Sequence, residues 1–404
     1  MTTEEIGNRI KFCINIILKE AREETRLVKH IFCCMLSAYT NNPINLAINA
    51  PSGEGKNYIL QKVGELFPDN DVIFLAGLSE KALYHRNGIL VIKNEKGQYE
   101  PVEITLQKID EKIQDKESEI GTAGNHDLKQ ALQNQIKDLE QEKKDISKTA
   151  RKLIDLSYKT LVILDTPSPG LFGALMSLLS HDRYEAEYEF TDKDMSTGIK
   201  TRTNILRGWP VVIFAQAIDY SSYKRWPEVQ RRFIITNPKM DRDKYDAAID
   251  LIGKKFGLPD FAYQAQVVSE EEKDTARSII EELKLGLLDL IKDSKPGKNN
   301  AIIPYYQSLH KSLSREKASD MTMAHRLFTF LSLIPQIDVY STSRPHLRVT
   351  DPNNPIFIQV IPFATFEDLK ESIYLMEYAD GVRPYVLEWY HKMTPRQPEE
   401  FFEI

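Results

Sequence analysis

Few folds accommodate a short apolar run that breaks directly into a turn of two glycines and a lysine. Residues 44–49 read Ile-Asn-Leu-Ala-Ile-Asn, and residues 50–57 continue as Ala-Pro-Ser-Gly-Glu-Gly-Lys-Asn. A helical pattern over residues 58–67 follows at once. A strand, a glycine turn, a lysine and a helix in this order are typical of a P-loop, which surrounds phosphate oxygens with backbone N–H groups and the lysine.

The loop departs from the usual pattern, G-x-x-x-x-G-K-[ST], at its first and last positions. Ala50 at the first position is still a small residue, whereas Asn57 replaces the hydroxyl that usually binds Mg²⁺ and offers a weaker amide oxygen. The predicted nucleotide-binding residues are Ala50, Pro51, Ser52, Gly53, Glu54, Gly55, Lys56 and Asn57. Lys56 supplies the charge that binds phosphate.

A second apolar run ends in a carboxylate. Residues 161–164 read Leu-Val-Ile-Leu and precede Asp165, which is typical of a buried parallel strand. The carboxyl ends of parallel strands meet at one edge of a sheet, so we expect Asp165 beside the P-loop, where it and Asn57 would hold Mg²⁺. A strand that simply meets its turn is the alternative.

Composition narrows the class of protein. The chain has 404 residues, enough for two or three domains, and a formal net charge of −6, so contact with nucleic acid requires local basic patches. Cys13, Cys33 and Cys34 have no metal-ligand spacing, which predicts a reducing, cytoplasmic setting. No apolar run approaches the roughly 18 residues of a membrane-spanning helix, which predicts no membrane partner.

Residues 103–156 form a distinct segment. Apolar residues recur at 3-4-7 spacing around a break at residues 121–125, and the intervening positions are almost all charged or polar. The pattern predicts two antiparallel helices joined along a narrow seam, here called the arm. The seam residues are Leu106, Ile109, Ile113, Ile120, Leu128, Leu132, Ile136, Leu139, Ile146 and Leu153. The arm is either a solvated projection or the contact for an unknown protein partner.

Residues 184–206 predict a β-hairpin, because two strand-like stretches flank a polar turn at residues 191–197. Lys193 at the tip, Lys200 and Arg202 are candidate contacts for the phosphates of a nucleic acid. Aspartates flank Lys193 on both sides and dilute its charge, so an ordinary solvated hairpin is the alternative.

A further strand and a pair of arginines follow the hairpin. Residues 209–215 predict a buried strand that ends at the polar Gln216, and Arg231 and Arg232 precede a short apolar strand at residues 233–236. Such a pair fits an arginine finger, in which a guanidinium of one subunit stabilises the γ-phosphate held by its neighbour. A pair of surface salt-bridge residues is the alternative.

In this order the elements resemble an AAA+ ATPase, and the hairpin resembles the pre-sensor hairpin of replicative-helicase relatives, including phage and plasmid primase-helicases. The resemblance implies that residues 50–57 are the Walker A loop and that Asp165 is the Walker B aspartate. It also implies that Gln216 is the sensor-1 residue and that Arg231 or Arg232 is the finger.

The resemblance does not identify the residue that activates water, and it suggests a role for Arg326. AAA+ ATPases follow the Walker B aspartate with a glutamate that activates water, whereas this chain has Thr166. Glu185, Glu187 and Asp182 are candidate replacements. Arg326, on a helical pattern, is the candidate sensor-2 arginine that would bind nucleotide from a helical lid, although a single arginine on such a helix is otherwise part of its solvent-exposed face.

The expected fold is α/β: a P-loop NTPase core of the AAA+ type with a parallel sheet, a helical-hairpin insertion and an α-helical lid. The expected divisions are an N-terminal helical region (1–40), the ATPase core with both insertions (41–245), the lid (246–335) and a C-terminal α+β segment (336–404).

The resemblance implies a motor that uses ATP and Mg²⁺ to act on DNA, as a helicase-like or replication-initiation enzyme, and that forms a homo-oligomer, such as a ring. A nucleotide-regulated switch or scaffold, which hydrolyses ATP weakly and recruits partners through residues 103–156, is the first alternative. The missing glutamate and the acidic net charge favour it. A small-molecule kinase or other P-loop transferase is the second alternative. The arginine pair and the hairpin argue against it, since such kinases need neither an arginine finger nor a basic hairpin.

Overall fold

The fold is described from a computed structural model of the chain. The residues that it describes are 3–76, 88–94, 97–122, 124–168, 170–172, 176, 179–181, 183–194, 198–217, 226–264, 267–292, 294, 297–313, 318–339, 344–351 and 354–376.

The helices of these residues are α1 (Thr3–Glu20), α2 (Thr25–Ser37), α3 (Lys56–Gly64), α4 (Val102–Thr122), α5 (His126–Thr149), α6 (Trp226–Gln230), α7 (Arg242–Gly257), α8 (Asp260–Gln264), α9 (Glu270–Ile291), α10 (Tyr306–Ser312), α11 (Ala318–Ile337) and α12 (Phe366–Met376). The strands are β1 (Asn45–Asn49), β2 (Val72–Leu75), β3 (Ile89–Lys93), β4 (Tyr99–Pro101), β5 (Arg151–Asp155), β6 (Thr160–Ile163), β7 (Glu185–Asp194), β8 (Gly198–Arg207), β9 (Val211–Gln216), β10 (Phe233–Thr236), β11 (His346–Asp351) and β12 (Asn354–Pro362).

The chain folds as two compact units, each built from separate stretches of sequence. Unit 1 comprises Met1–Glu80, Ser157–Asp182 and Trp209–Ile404, and unit 2 comprises Lys81–Leu156 and Arg183–Gly208. The arm and the hairpin, which the sequence predicted as two separate insertions, therefore belong to one unit.

Unit 1 contains a five-stranded parallel sheet in the order β10-β1-β9-β6-β2. β6, β9 and β10 are buried at every residue, as expected of apolar strands that are covered on both faces. The four strands predicted at residues 44–49, 161–165, 209–215 and 233–236 all form at these positions. The predicted α/β fold with a parallel sheet is confirmed.

The helices of unit 1 share one hydrophobic core with this sheet. α9 packs against α1, where Lys19 pairs with Glu272 at 2.5 Å and the Cys13 thiol donates to the Ala276 carbonyl. α11 packs against α2, α9 and α12. Residues 246–335, expected as a separate lid, are therefore divided: α9 and α11 build the core, and α7 and α8 lie nearer the glycine turn.

Unit 2 contains a second sheet in the order β4-β3-β5-β8-β7, in which β5 and β8 are parallel. α4 and α5 meet along a seam that buries Ile109 and Ile146, which confirms the predicted helical arm. The prediction that Leu153 lies on this seam was wrong. The chain becomes extended at Ala150, with ψ of 135°, and Leu153 is a buried residue of β5.

The predicted β-hairpin forms from β7 and β8, but its predicted polar turn was too long. Residues 191–194 continue β7, and Thr191 lies opposite Thr201 in the antiparallel register. β-branched pairs of this kind favour continued strand pairing over a turn. Lys193 lies opposite Ile199, near the end of the hairpin, and Lys200 lies opposite Asp192.

Candidate nucleotide-binding site

The glycine turn lies between the carboxyl end of β1 and the first residue of α3. Gly53 and Gly55 have φ of 92° and 76°, a backbone region that favours glycine because it has no Cβ. Gly55 is the N-cap of α3. The N-terminus of a helix carries N–H groups without partners in the helix and the positive end of its dipole, so this turn can accept an anion.

The Lys56 side chain is folded into the turn and is only 8% exposed. Its Nζ donates to the carbonyls of Ala50 and Pro51 at 2.5 and 2.6 Å. Burial lowers the pKa of Lys56 and the Lys244 ammonium adds to this, while Glu54 opposes the change. The ammonium can exchange these carbonyls for phosphate oxygens, which would offset the cost of burying its charge.

Asn57 and Asp165 lie in the same cleft as Lys56. The cleft has a volume of about 310 Å³ and is lined by residues 52–58, 164–166, Ala215 and Ala217. The Asn57 amide nitrogen donates to the Leu164 carbonyl at 3.0 Å, so its oxygen is the end that remains for a ligand. One Asp165 oxygen accepts from the Thr166 N–H at 2.7 Å, which leaves the second carboxylate oxygen.

These two oxygens fit Mg²⁺, which takes few protein ligands and completes its shell with water and phosphate oxygens. Within the described parts of the chain, no three His, Cys, Asp or Glu side chains gather as a metal site. A Mg²⁺ ion held here by Asn57 and Asp165 would therefore depend on a bound phosphate chain for its other ligands.

Gln216 lies next to the glycine turn, at the end of β9. It pairs with Asn49 of β1, and its main-chain carbonyl accepts from the Ala50 N–H at 3.2 Å. The side chain is buried, and its Oε1 has no hydrogen-bond partner among the described residues. Burying an amide oxygen without a hydrogen bond destabilises the folded protein, so this atom is a candidate contact for water or a ligand.

A buried ion triad ties the turn to α7. The Lys244 Nζ lies 2.9 Å from Glu24 and 3.2 Å from Glu54, and it also donates to the Glu54 carbonyl at 3.0 Å. Tyr245 donates to the second Glu54 oxygen at 3.0 Å. Burial raises the pKa of Glu24, and the hydrogen bond from Lys244 opposes that rise. This triad left no signal in the sequence, because Lys244 is 190 residues from Glu54 along the chain and still further from Glu24.

An apolar pocket of about 280 Å³ adjoins the turn and shares Glu54, Gly55 and Tyr58 with the cleft. Its apolar walls come from α3 and from the stretch that the sequence assigned to the lid, and they include Tyr58, Ile59, Ala247, Ala248, Leu251, Ile252 and Tyr263. A flat apolar group fits such walls, with a polar extension reaching the glycine turn.

The three candidate arginines do not lie in this cleft. Arg231, Arg232 and Arg326 line a different cavity, at the amino ends of β1 and β10 and therefore at the opposite edge of the sheet. Arg326 donates to the carbonyls of Gln230, at 2.8 Å, and Phe233. Since α11 packs at this edge, Arg326 does not reach the glycine turn of its own chain as a sensor-2 residue would.

The candidate water-activating carboxylates are not among the described residues that line this cleft. Glu185 and Glu187 belong to unit 2, where they pair with Arg207 and Arg151, each at 2.7 Å. Asp182 lies outside the described residues. The base that would activate water therefore remains unassigned.

Throughout the described part of the chain, no helix combines the length and apolar character that crossing a membrane requires. No protein-family model matches the sequence, and no curated protein matches it significantly.

Proposed function

We propose that this chain is an ATP-binding and ATP-hydrolysing motor of the AAA+ type that acts on DNA. The observation that carries the proposal is the placement of Lys56, Asn57 and Asp165 in one cleft beside two positive-φ glycines. Lys56 and Asn57 are far from Asp165 in sequence, and the three residues converge at the carboxyl edge of a parallel sheet, where such folds bind ligands.

ATP fits the cleft and the adjoining pocket together. The triphosphate would lie over the glycine turn with Lys56 as its counter-charge, and Mg²⁺ would bind Asn57 and Asp165. The base would lie in the apolar pocket between Tyr58 and α7, since this pocket shares its edge with the turn. Mg²⁺ neutralises phosphate charge and polarises the transferring group.

The sheet order supports the AAA+ assignment. β9, which ends at Gln216, lies between the strand before the glycine turn and β6, which precedes Asp165. In this order the polar Gln216 ends the strand between the two motifs, which is the position that the resemblance implies for a sensor-1 residue.

The position of the arginines supports a homo-oligomer, such as a ring. Arg231 and Arg232 lie at the opposite edge of the sheet from the glycine turn, so an arginine finger formed by either would act on nucleotide held by a second copy. A closed ring would give every site such a neighbour.

We propose that the hairpin binds DNA. Two of its acidic residues, Glu185 and Glu187, are neutralised by Arg207 and Arg151, which reduces the negative charge that a phosphate backbone would meet. Lys193, Lys200 and Arg202 are the proposed DNA contacts.

A nucleotide-regulated switch or scaffold is the second candidate. Thr166 follows Asp165, at the position where the resemblance implies a water-activating glutamate. The arm offers two helices with mostly exposed charged faces, α4 and α5, through which a protein partner could bind.

Equilibrium binding of a fluorescent ATP analogue tests the ATP site. We expect Lys56→Ala to weaken binding by about tenfold or more, because a charge-assisted hydrogen bond is lost. Lys254→Ala removes a lysine that pairs with Asp250 and lines neither the cleft nor the pocket, and this variant should bind like the unmodified protein. Equal affinities of the unmodified protein and the Lys56 variant would refute the assignment.

A further inference from the structure

We propose that the cavity at the amino ends of β1 and β10 is a second anion site, which binds a soluble phosphate compound with a flat organic part. It has a volume of about 580 Å³, larger than the cleft over the glycine turn. It lies wholly in unit 1.

The charge of the lining favours an anion. Arg231, Arg232 and Arg326 all line the cavity, and its described lining contains no aspartate or glutamate. The chain as a whole has a net charge of −6. Three arginines in one wall are therefore a local excess of positive charge, which Glu228, outside the lining and 4.0 Å from Arg232, offsets only in part. Burial and the neighbouring Arg326 lower the pKa of His325, which also lines the cavity, so the positive charge comes from the arginines.

The three arginines differ in the hydrogen bonds that they make. Arg326 donates to the Gln230 and Phe233 carbonyls and thereby holds the turn before β10 in place. The Arg231 side chain is exposed and has no hydrogen bond or ion pair with any described residue. Arg232 donates to the Glu228 carbonyl at 2.8 Å and lies 4.0 Å from the Glu228 carboxylate, but its buried Nε has no partner in the described structure. Arg231 and Arg232 therefore retain donors for a ligand.

Phosphate matches these donors. A guanidinium presents several N–H groups in a planar fork that can bind two phosphate oxygens at once. A flat organic part fits the wall made by Trp209 and His181, whose ring centres are 5.1 Å apart with an interplanar angle of 30°. Aromatic rings of this kind stack on flat ligands.

The site would also regulate the proposed motor, and this consequence rests on the proposed function. A ligand held by Arg231 and Arg232 would occupy the guanidinium groups that the neighbour's γ-phosphate requires. A compound bound in the cavity should therefore inhibit ATP turnover without displacing nucleotide from the glycine turn.

Titration calorimetry on the full-length Lys56→Ala variant tests the site, because this background weakens binding at the glycine turn. The probes are AMP and inorganic pyrophosphate, and Trp209 fluorescence gives a second readout. We expect one AMP per chain, with tighter binding at low salt. Adding Arg231→Ala and Arg232→Ala should weaken it by about tenfold or more, whereas adding Arg277→Ala, which removes an arginine of α9, should not change it.

Binding of pyrophosphate but not AMP would show that the site recognises phosphate alone, and would overturn the flat-ligand part of the proposal. No binding of either probe, or binding that the two arginine substitutions do not weaken, would overturn the site itself. If the double alanine variant is unfolded by circular dichroism, Arg231→Lys with Arg232→Lys keeps the charge but removes the fork, and should still weaken binding severalfold. AMP binding in this background with no ATP binding by the unmodified protein would instead refute only the proposed ATPase.

Discussion

Replacing Lys244 by methionine removes the cation that pairs with two carboxylates, Glu24 and Glu54. Side-chain exposure is 3% for Glu24, 10% for Lys244 and 16% for Glu54, so water can compensate little of the lost charge. Removing one partner of a buried ion pair typically destabilises a protein by about 3–5 kcal/mol. Methionine keeps most of the volume, so a cavity adds little. We expect the free energy of unfolding to fall by about 3 kcal/mol, at the lower end of this range because Glu54 is partly exposed.

Urea unfolding at pH 7 measures this loss, followed by a probe in unit 1 because the two units need not unfold together. Lys254→Met is the matched control, since Lys254 lies on the same helix and pairs with the exposed Asp250, and it should change stability by less than about 0.5 kcal/mol. Burial raises the pKa of Glu24, so acid should protonate it in the folded variant. The difference between variant and unmodified protein should therefore shrink as pH falls.

Glu24→Gln distinguishes charge from packing. In the Lys244→Met background it removes the uncompensated carboxylate and should restore part of the lost stability, whereas in the unmodified protein it should destabilise. A loss below about 1 kcal/mol for Lys244→Met, or the same loss with and without Glu24→Gln, would contradict the reasoning.

Three further predictions concern other parts of the chain. Burial lowers the pKa of His30 from 6.5 to about 4, so stability that is present above pH 6.5 should decline by about 3 kcal/mol as pH falls toward 4, and His30→Gln should remove that part of the decline in urea unfolding. Gln216→Leu should leave the free energy of unfolding unchanged or raise it by roughly 1 kcal/mol, while ATP turnover falls by roughly tenfold or more. Lys193→Ala with Lys200→Ala should reduce the slope of log affinity for DNA against log salt by about 2.

Each of these three predictions has a result that would contradict it. A pH dependence of stability that is the same in both proteins would contradict the account of His30. Turnover retained in Gln216→Leu would remove Gln216 from the site. Lys129→Ala with Lys137→Ala removes two exposed lysines of the arm as a control, and an equal effect of both double variants would show that the hairpin has no special role.

The sheet of unit 1 was predictable because its strands are continuous apolar runs bounded by turn residues. The same physics predicted the arm, whose seam repeats at helical spacing. β5 was missed because it follows α5 after one residue, so Leu153 continued the helical pattern by chance. The strand becomes visible only through its pairing with β8, about 50 residues later, and with β3, about 60 residues earlier.

The site was predictable where its residues form a local motif and not where distant residues meet. Lys56 and its loop follow from eight consecutive residues, and Asp165 follows from the end of an apolar run. The sequence predicted that Arg326 contacts the nucleotide. A helical pattern shows which residues are polar, but it does not show at which ends of the strands the helix packs. Nothing in the sequence marked Lys244 as a buried residue, since a lysine in the first turn of a helix is ordinarily solvated.

Steady-state ATP hydrolysis by the full chain, with and without single- and double-stranded DNA, tests the central claim most directly, with Lys56→Ala as control. We expect turnover that DNA stimulates and that Lys56→Ala abolishes, which would also show that a residue other than Thr166 activates water. ATP binding without turnover under any DNA condition would favour the switch or scaffold. Turnover that Lys56→Ala leaves unchanged, or no ATP binding by the unmodified protein, would contradict the account.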